Sequence, residues 1–99
     1  MEVQLLAGSA HPALAAATAE ALGVPLSSCE TDRFPDDESH VQLCESARGR
    51  DVFILQPTSP PADRHLFELL LMADAARRAG AARVTALVPY LGYARQDRR

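Results

Sequence analysis

Asp51-Val52-Phe53-Ile54-Leu55-Gln56 is the stretch around which the chain organises itself. Its middle is an unbroken apolar run, the pattern of a central strand buried on both faces. Pro57 to Pro61 follows as a rigid loop, and Ala62 to Ala79 reads as the strongest helix. Asp63 stands at its start and Arg77 and Arg78 in its last turn, charges that complement the helix dipole. Arg64–Glu68 and Asp74–Arg78 are opposite charges four residues apart, and Gly80 is a natural C-cap. Leu66, Phe67, Leu69, Leu70, Leu71 and Met72 leave little polar surface mid-helix. That predicts burial on more than one side, against a sheet and against a partner subunit. Arg83 to Pro89 is then a further buried strand.

Working back from this unit, Val3 to Ala7 is a short buried strand closed by Gly8-Ser9. Pro12 to Leu22 is alanine-rich and helical, with Pro12 in the first turn and Gly23 just past the end. Either Ser9 or His11 serves as its N-cap. From Cys29 the character changes. Arg33-Phe34-Pro35-Asp36-Asp37-Glu38-Ser39 is a polar loop, and His40 to Cys44 alternates as a half-buried strand does. A turn at Ala47-Arg48-Gly49-Arg50 leads into the central strand. The order strand, helix, strand pair, strand, helix, strand predicts an α/β layered sandwich with a partly parallel sheet.

Bulk properties exclude several classes. The chain has 99 residues, 47% of them apolar, which fits one compact domain or a piece of a larger one. Its net charge of −3 argues against a nucleic-acid or anionic-membrane surface. All 10 basic residues are Arg, so a Walker-type phosphate loop with its Lys is excluded. Cys29 and Cys44 form no metal pattern and read as buried free thiols. With no signal peptide and no long apolar span, the cytoplasm is the expected location.

Two clusters could carry chemistry. The acidic loop Asp36-Asp37-Glu38 binds Mg²⁺, accepts hydrogen bonds from a ligand, or is a solvated turn. Phe34 beside it offers a ring face for a base, or anchors the loop on the core; such stacking contributes about 1–3 kcal/mol per base. The second cluster lies in Pro89-Tyr90-Leu91-Gly92-Tyr93-Ala94-Arg95-Gln96-Asp97-Arg98-Arg99. Guanidinium groups that follow a buried strand meet a polyanion at the sheet's carboxyl edge, or they are a solvated terminus. His11, His40 and His65 share no ligand spacing, and Ser9 does not sit in a nucleophile elbow.

Taken in order, these segments resemble the ribose-phosphate diphosphokinases, also called phosphoribosyl-pyrophosphate synthetases. Leu6-Ala7-Gly8-Ser9 with an alanine-rich helix resembles the family's opening. Arg33-Phe34-Pro35-Asp36-Asp37-Glu38 resembles its Arg-Phe-x-Asp-Gly-Glu loop, and Glu45-Ser46-Ala47-Arg48-Gly49 its Glu-Ser-x-Arg-Gly turn. Leu66-Phe67-Glu68-Leu69-Leu70 resembles its Leu-Met-Glu-Leu-Leu helix, and the segment from Pro89 to Arg98 is close to its signature.

The resemblance implies a phosphoribosyltransferase-like three-layer α/β sandwich with a largely parallel sheet. Residues 1–99 would be the N-terminal domain, truncated at its C-terminal end. It implies an enzyme that transfers the diphosphoryl group of ATP, with Mg²⁺, to C1 of ribose 5-phosphate, giving phosphoribosyl pyrophosphate and AMP. It implies a homo-oligomer, a hexamer in the family, with no nucleic acid or membrane partner. By residue match, Phe34 stacks on adenine, Asp36 and Glu38 accept from the nucleotide, Arg95 covers the other adenine face, and Gln96 lies close by. Ser46 and Arg48 match residues that bind a regulatory phosphate in some members. Catalytic and metal-binding residues lie further along in the family, so none is assigned here.

Two positions depart from the pattern. Asp37 replaces the usual Gly, removing backbone freedom and adding charge. Gly80 stands where many members have Ser near the regulatory phosphate, which leaves a helix cap as its other reading. Two alternatives to an enzyme part stand beside the main reading: a non-catalytic, synthetase-associated regulatory subunit, and a domain whose oligomer surface is its function.

Overall fold

The computed structural model describes residues 2–27, 46–89 and, as backbone, 29–33 and 39–43. Three strands, β1 (Val3–Ala7), β4 (Asp51–Leu55) and β5 (Arg83–Leu87), form a parallel sheet in the order β1-β4-β5. Between β1 and β4 the chain makes α1 (Pro12–Leu22) and an antiparallel pair, β2 (Cys29–Arg33) with β3 (Ser39–Leu43). The helix α2 (Ala62–Arg78) carries the chain from β4 to β5, as a parallel neighbour requires. The strand pair stands as its own two-stranded sheet and not as part of the parallel one.

β4 is central, paired on both sides, and its alternating side chains enter two separate cores. Val52 and Ile54 join Leu6, Leu69, Met72 and Ala76 on the α2 face. Leu55 joins Leu5, Ala15 and Ala19 on the α1 face, with Phe53 and Leu87 packed at the margin. An α/β sandwich is thus what the apolar run at Val52 to Leu55 encodes: a strand with no polar face needs cover above and below. Burying Leu69 and Met72 contributes roughly 1.5–3 kcal/mol each. On the α1 face, Val3, Leu22, Val24, Phe53 and Leu87 line an apolar recess of about 400 Å³. Gln4 is buried in β1 with a side-chain amide that finds no hydrogen-bond partner among the described residues.

The helix ends follow local chemistry. His11 is the N-cap of α1: its Nδ1 accepts from the Leu14 amide at 3.1 Å, and Pro12 fills the first turn. Gly23 closes the helix at φ 71°, where a glycine costs least. In α2 the C-cap is Ala79, and Gly80 comes one residue later at φ 89°. The expected Asp74–Arg78 pair forms at 2.9 Å. The expected Arg64–Glu68 pair does not. Glu68 turns inward, because donors on the loops around it offer its carboxylate more than an exposed guanidinium does. Burial of α2 against the sheet is met by Leu69, Met72 and Ala76, while Phe67 and Leu70 are 53% and 58% exposed in the single chain.

At the amino edge of the sheet, Arg83 holds Asp51 in a two-pronged ion pair, Nε to Oδ1 at 3.1 Å and Nη2 to Oδ2 at 2.7 Å. This pair ties the start of β5 to the start of β4. The Arg83 hydrogen bond keeps the Asp51 carboxyl below the usual carboxylate range, against an opposing push from its burial. A carboxylate depressed in the folded state adds stability above its unfolded pKa of about 3.9. That contribution is lost as pH falls through the folded value. The melting temperatures of wild type and Asp51→Asn should therefore differ at neutral pH and converge as the solution is acidified below about pH 4. A gap of constant size across that range would contradict this assignment.

Candidate functional site

In a parallel sheet all strands end on one edge, and here that edge carries a connected set of polar groups. Glu68 lies nearly two turns inside α2, 7% exposed, and Gln56 follows β4, fully buried. Glu68 Oε1 accepts from Ser9 N–H at 3.1 Å, from Ser9 Oγ–H at 2.8 Å and from Gln56 Nε2–H at 2.6 Å. The Gln56 amide is satisfied at both ends. Its Oε1 accepts from Ala10 N–H at 3.1 Å, and its Nε2 also donates to the His65 carbonyl at 3.2 Å. His65 Nδ1 contacts the Ser59 carbonyl at 2.7 Å, so it carries the proton there. Four segments meet in this way: the loop after β1, the loop after β4, the first half of α2 and, through Gln56 N–H to Leu87 O at 3.0 Å, the end of β5.

Gly8 makes the convergence possible. A Cβ at Gly8 would clash with the side-chain amide of Gln56, so this position needs a glycine for space and not for a left-handed backbone. Three donors converge on Glu68 Oε1 and commit that oxygen to structure.

At the opposite edge, the turn before β4 meets the turn after α2. Arg48 N–H donates to Ser46 Oγ at 3.2 Å, Gly49 N–H to Gly80 O at 2.9 Å, and Ala82 N–H to Arg50 O at 2.8 Å. Ser46 and Arg48 are exposed, and Arg48 stands beside Gly80. A Cβ at Gly80 would lie 3.5 Å from Arg48 Cγ, an ordinary contact. A side chain fits there in space, and only the φ of 89° resists it. Gly80 both follows the helix cap and supplies the carbonyl that fastens the Ser46–Arg48 turn.

Of the residues singled out in the sequence, the structure brings Ser46 and Arg48 together. Phe34, Asp36, Glu38, Arg95 and Gln96 lie outside the described residues, as does Cys44. The strand β5 does run parallel to β1 and β4, so the segment from residue 90 follows a strand that ends at the Gln56–Glu68 edge. Gln56 and Glu68 were not among the candidates. Their signal was present: a polar residue ending an apolar strand, and one acid inside Leu66-Phe67-Glu68-Leu69-Leu70. Among the described residues no three His, Cys, Asp or Glu side chains are grouped to hold a metal ion.

Comparison with known proteins agrees with this architecture. Residues 3–99 match the model for the N-terminal domain of ribose phosphate pyrophosphokinase. A ribose-phosphate pyrophosphokinase of Wolinella succinogenes is 51% identical over 96 residues, 97% of this chain and 31% of that protein. The chloroplastic ribose-phosphate pyrophosphokinase 2 of Spinacia oleracea is 55% identical over 97 residues, 98% of this chain and 25% of that protein. The crystal structure of phosphoribosylpyrophosphate synthetase from Mycobacterium smegmatis superposes with a TM-score of 0.92 at 40% identity, over 100% of this chain and 33% of that one. The chain thus spans a third or less of the length of these relatives.

The Gly8–Gln56 contact is directly testable. Gly8→Ala should destabilise the fold by about 1–3 kcal/mol through overpacking. In a Gln56→Ala background the same change should cost close to nothing, a coupling that a double-mutant cycle by thermal melting measures. Additive effects would show that the two positions do not compete for space.

Proposed function

Because the chain belongs to the ribose-phosphate pyrophosphokinase family, matching its N-terminal domain, we propose that it is the ATP-binding front part of a diphosphokinase. The reaction is transfer of the diphosphoryl group of ATP to C1 of ribose 5-phosphate, giving phosphoribosyl pyrophosphate and AMP, a step toward nucleotides. The observation that carries the reading is the match over residues 3–99, which takes in both the Arg33–Glu38 loop and the Arg95-Gln96-Asp97-Arg98 segment.

In this reading Phe34 and Arg95 sandwich the adenine ring between a phenyl and a guanidinium plane. Asp36 and Glu38 accept from its exocyclic amine, and Gln96 lies against the nucleotide. Leaving that amine without an acceptor in a closed site would cost about 1–3 kcal/mol, which is how the carboxylates confer base preference. Mg²⁺ enters with the ATP it accompanies. Ser46 and Arg48, which meet in one exposed turn at the amino edge, form a candidate contact for a regulatory phosphate. Homo-oligomer assembly belongs to the same reading. The exposed Phe67 and Leu70, one helical turn apart on α2, are the apolar surface that favours a subunit contact. A cytoplasmic location completes it; no helix among the described residues is long and apolar enough to cross a membrane.

The test uses the protein at the length of its relatives. Arg95→Ala should weaken ATP binding by roughly 5- to 150-fold, the range of one lost stacking contact of about 1–3 kcal/mol, with the melting temperature unchanged. Unchanged ATP affinity would favour a non-catalytic regulatory subunit. The 99-residue chain by itself should release no AMP from ATP and ribose 5-phosphate, and steady AMP formation by it would overturn the division of labour proposed here.

A further inference from the structure

The chain leaves β1 and β4 toward opposite faces of the sheet. The helix α1 follows β1 onto the Leu5 and Leu55 face, and α2 follows β4 onto the Leu6, Val52 and Ile54 face. The crevice between two strands that diverge in this way is where open α/β sheets take their ligands, often an anion against the loop that opens a helix. In this chain that loop is Gly8-Ser9-Ala10, and the groups facing the crevice are Ser9 N–H, Ser9 Oγ–H and Ala10 N–H. All three are already engaged by side chains of the same chain, Glu68 Oε1 and Gln56 Oε1.

We propose that Glu68 is a built-in anion that occupies the switch-point crevice, positioning the β1–α1 loop and keeping external anions out of it. The charge, the burial and the donor set all agree. Glu68 as a residue is 7% exposed, its carboxylate collects a backbone amide, a hydroxyl and an amide N–H on one oxygen, and its partner Gln56 is wholly buried. Gly8 has no side chain, so Gln56 can close over the loop from the second strand. Glu68 is therefore a positioning residue. It fills the place a bound phosphate or carboxylate takes in a sheet of this kind, whichever reaction the protein takes part in. The nucleotide reading draws on residues 34–38 and 95–96 and stands or falls separately.

Glu68→Ala removes the internal anion and leaves its donors in place. The melting temperature should fall by roughly 10 °C, a size set by about 4–8 °C per kcal/mol for a domain of this length. Sodium formate at tens of millimolar should restore at least half of that loss, and sodium chloride at the same ionic strength should not. The Ser9 and Ala10 amide resonances should move with formate in the variant and stay fixed in wild type. Equal effects of formate and chloride, equal movement in wild type, or no loss of stability would each overturn the proposal. If Glu68→Ala does not fold, Glu68→Gln gives the answer. An amide oxygen has two lone pairs and no charge, so it cannot hold three donors as a carboxylate does, and the variant should melt below wild type. A Glu68→Gln protein as stable as wild type would show that shape alone matters and would overturn the proposal as well.

Discussion

A carboxylate taken out of water must be met by donors or it neutralises or destabilises what surrounds it. Glu68 meets that constraint with a hydroxyl, a backbone amide and a glutamine N–H drawn from two different loops. The geometry works in both directions. The charge needs the loops in place, and the loops after β1 and β4 acquire a common anchor on a helix that is itself fixed by Leu69, Met72 and Ala76 in the core. The parallel sheet supplies the spacing, because β1 and β4 end side by side with Ala7 opposite Leu55. Remove the charge and the carboxyl edge loses the group that joins sheet, loop and helix.

The two edges of the sheet are built with different electrostatics. At the amino edge the Asp51–Arg83 pair joins a buried carboxylate to a largely exposed guanidinium, so its strength depends on pH and salt. Next to it the Ser46–Arg48 turn is exposed and fastened by backbone hydrogen bonds to Gly80 and by the strand start at Arg50. At the carboxyl edge Gln56 and Glu68 are buried, and their hydrogen bonds are met by each other and by the Ser9-Ala10 loop. A surface turn with an exposed guanidinium at one end and a hydrogen-bonded polar junction at the other are different kinds of surface: one open to solvent, the other a brace between the loops that follow β1 and β4.

Much of this was legible in the chain. The apolar run from Val52 to Leu55 announced a strand covered on both faces, and the charges at Asp63, Arg77 and Arg78 bounded α2 closely. Element ends were less legible. β4 ends with its last apolar residue, Leu55, whereas β5 ends at Leu87, short of the apolar Val88 and Pro89. Arg64–Glu68 was misread because i,i+4 spacing is a local rule, whereas Glu68 answers to Ser9 and Gln56, far away in sequence. Which of Ser9 and His11 caps α1 was open from sequence, and the answer has the same cause: Ser9 is committed to Glu68, which leaves His11. The roles proposed for Phe34, Asp36, Glu38, Arg95 and Gln96 rest on family motifs alone, since no periodicity distinguishes a ligand-facing segment from a solvated one.

Gly8 and Gln56 share one volume, and this limits how the sequence can drift. Neither position is free to change alone: a methyl group at residue 8 needs a shorter side chain at residue 56, and a shorter residue 56 releases the Ala10 amide and one donor to Glu68. An evolutionary path between two stable versions of this edge therefore passes through a less stable intermediate, or through simultaneous substitution. The junction is thus constrained as a unit, by a steric rule that acts between the exit of β1 and the exit of β4.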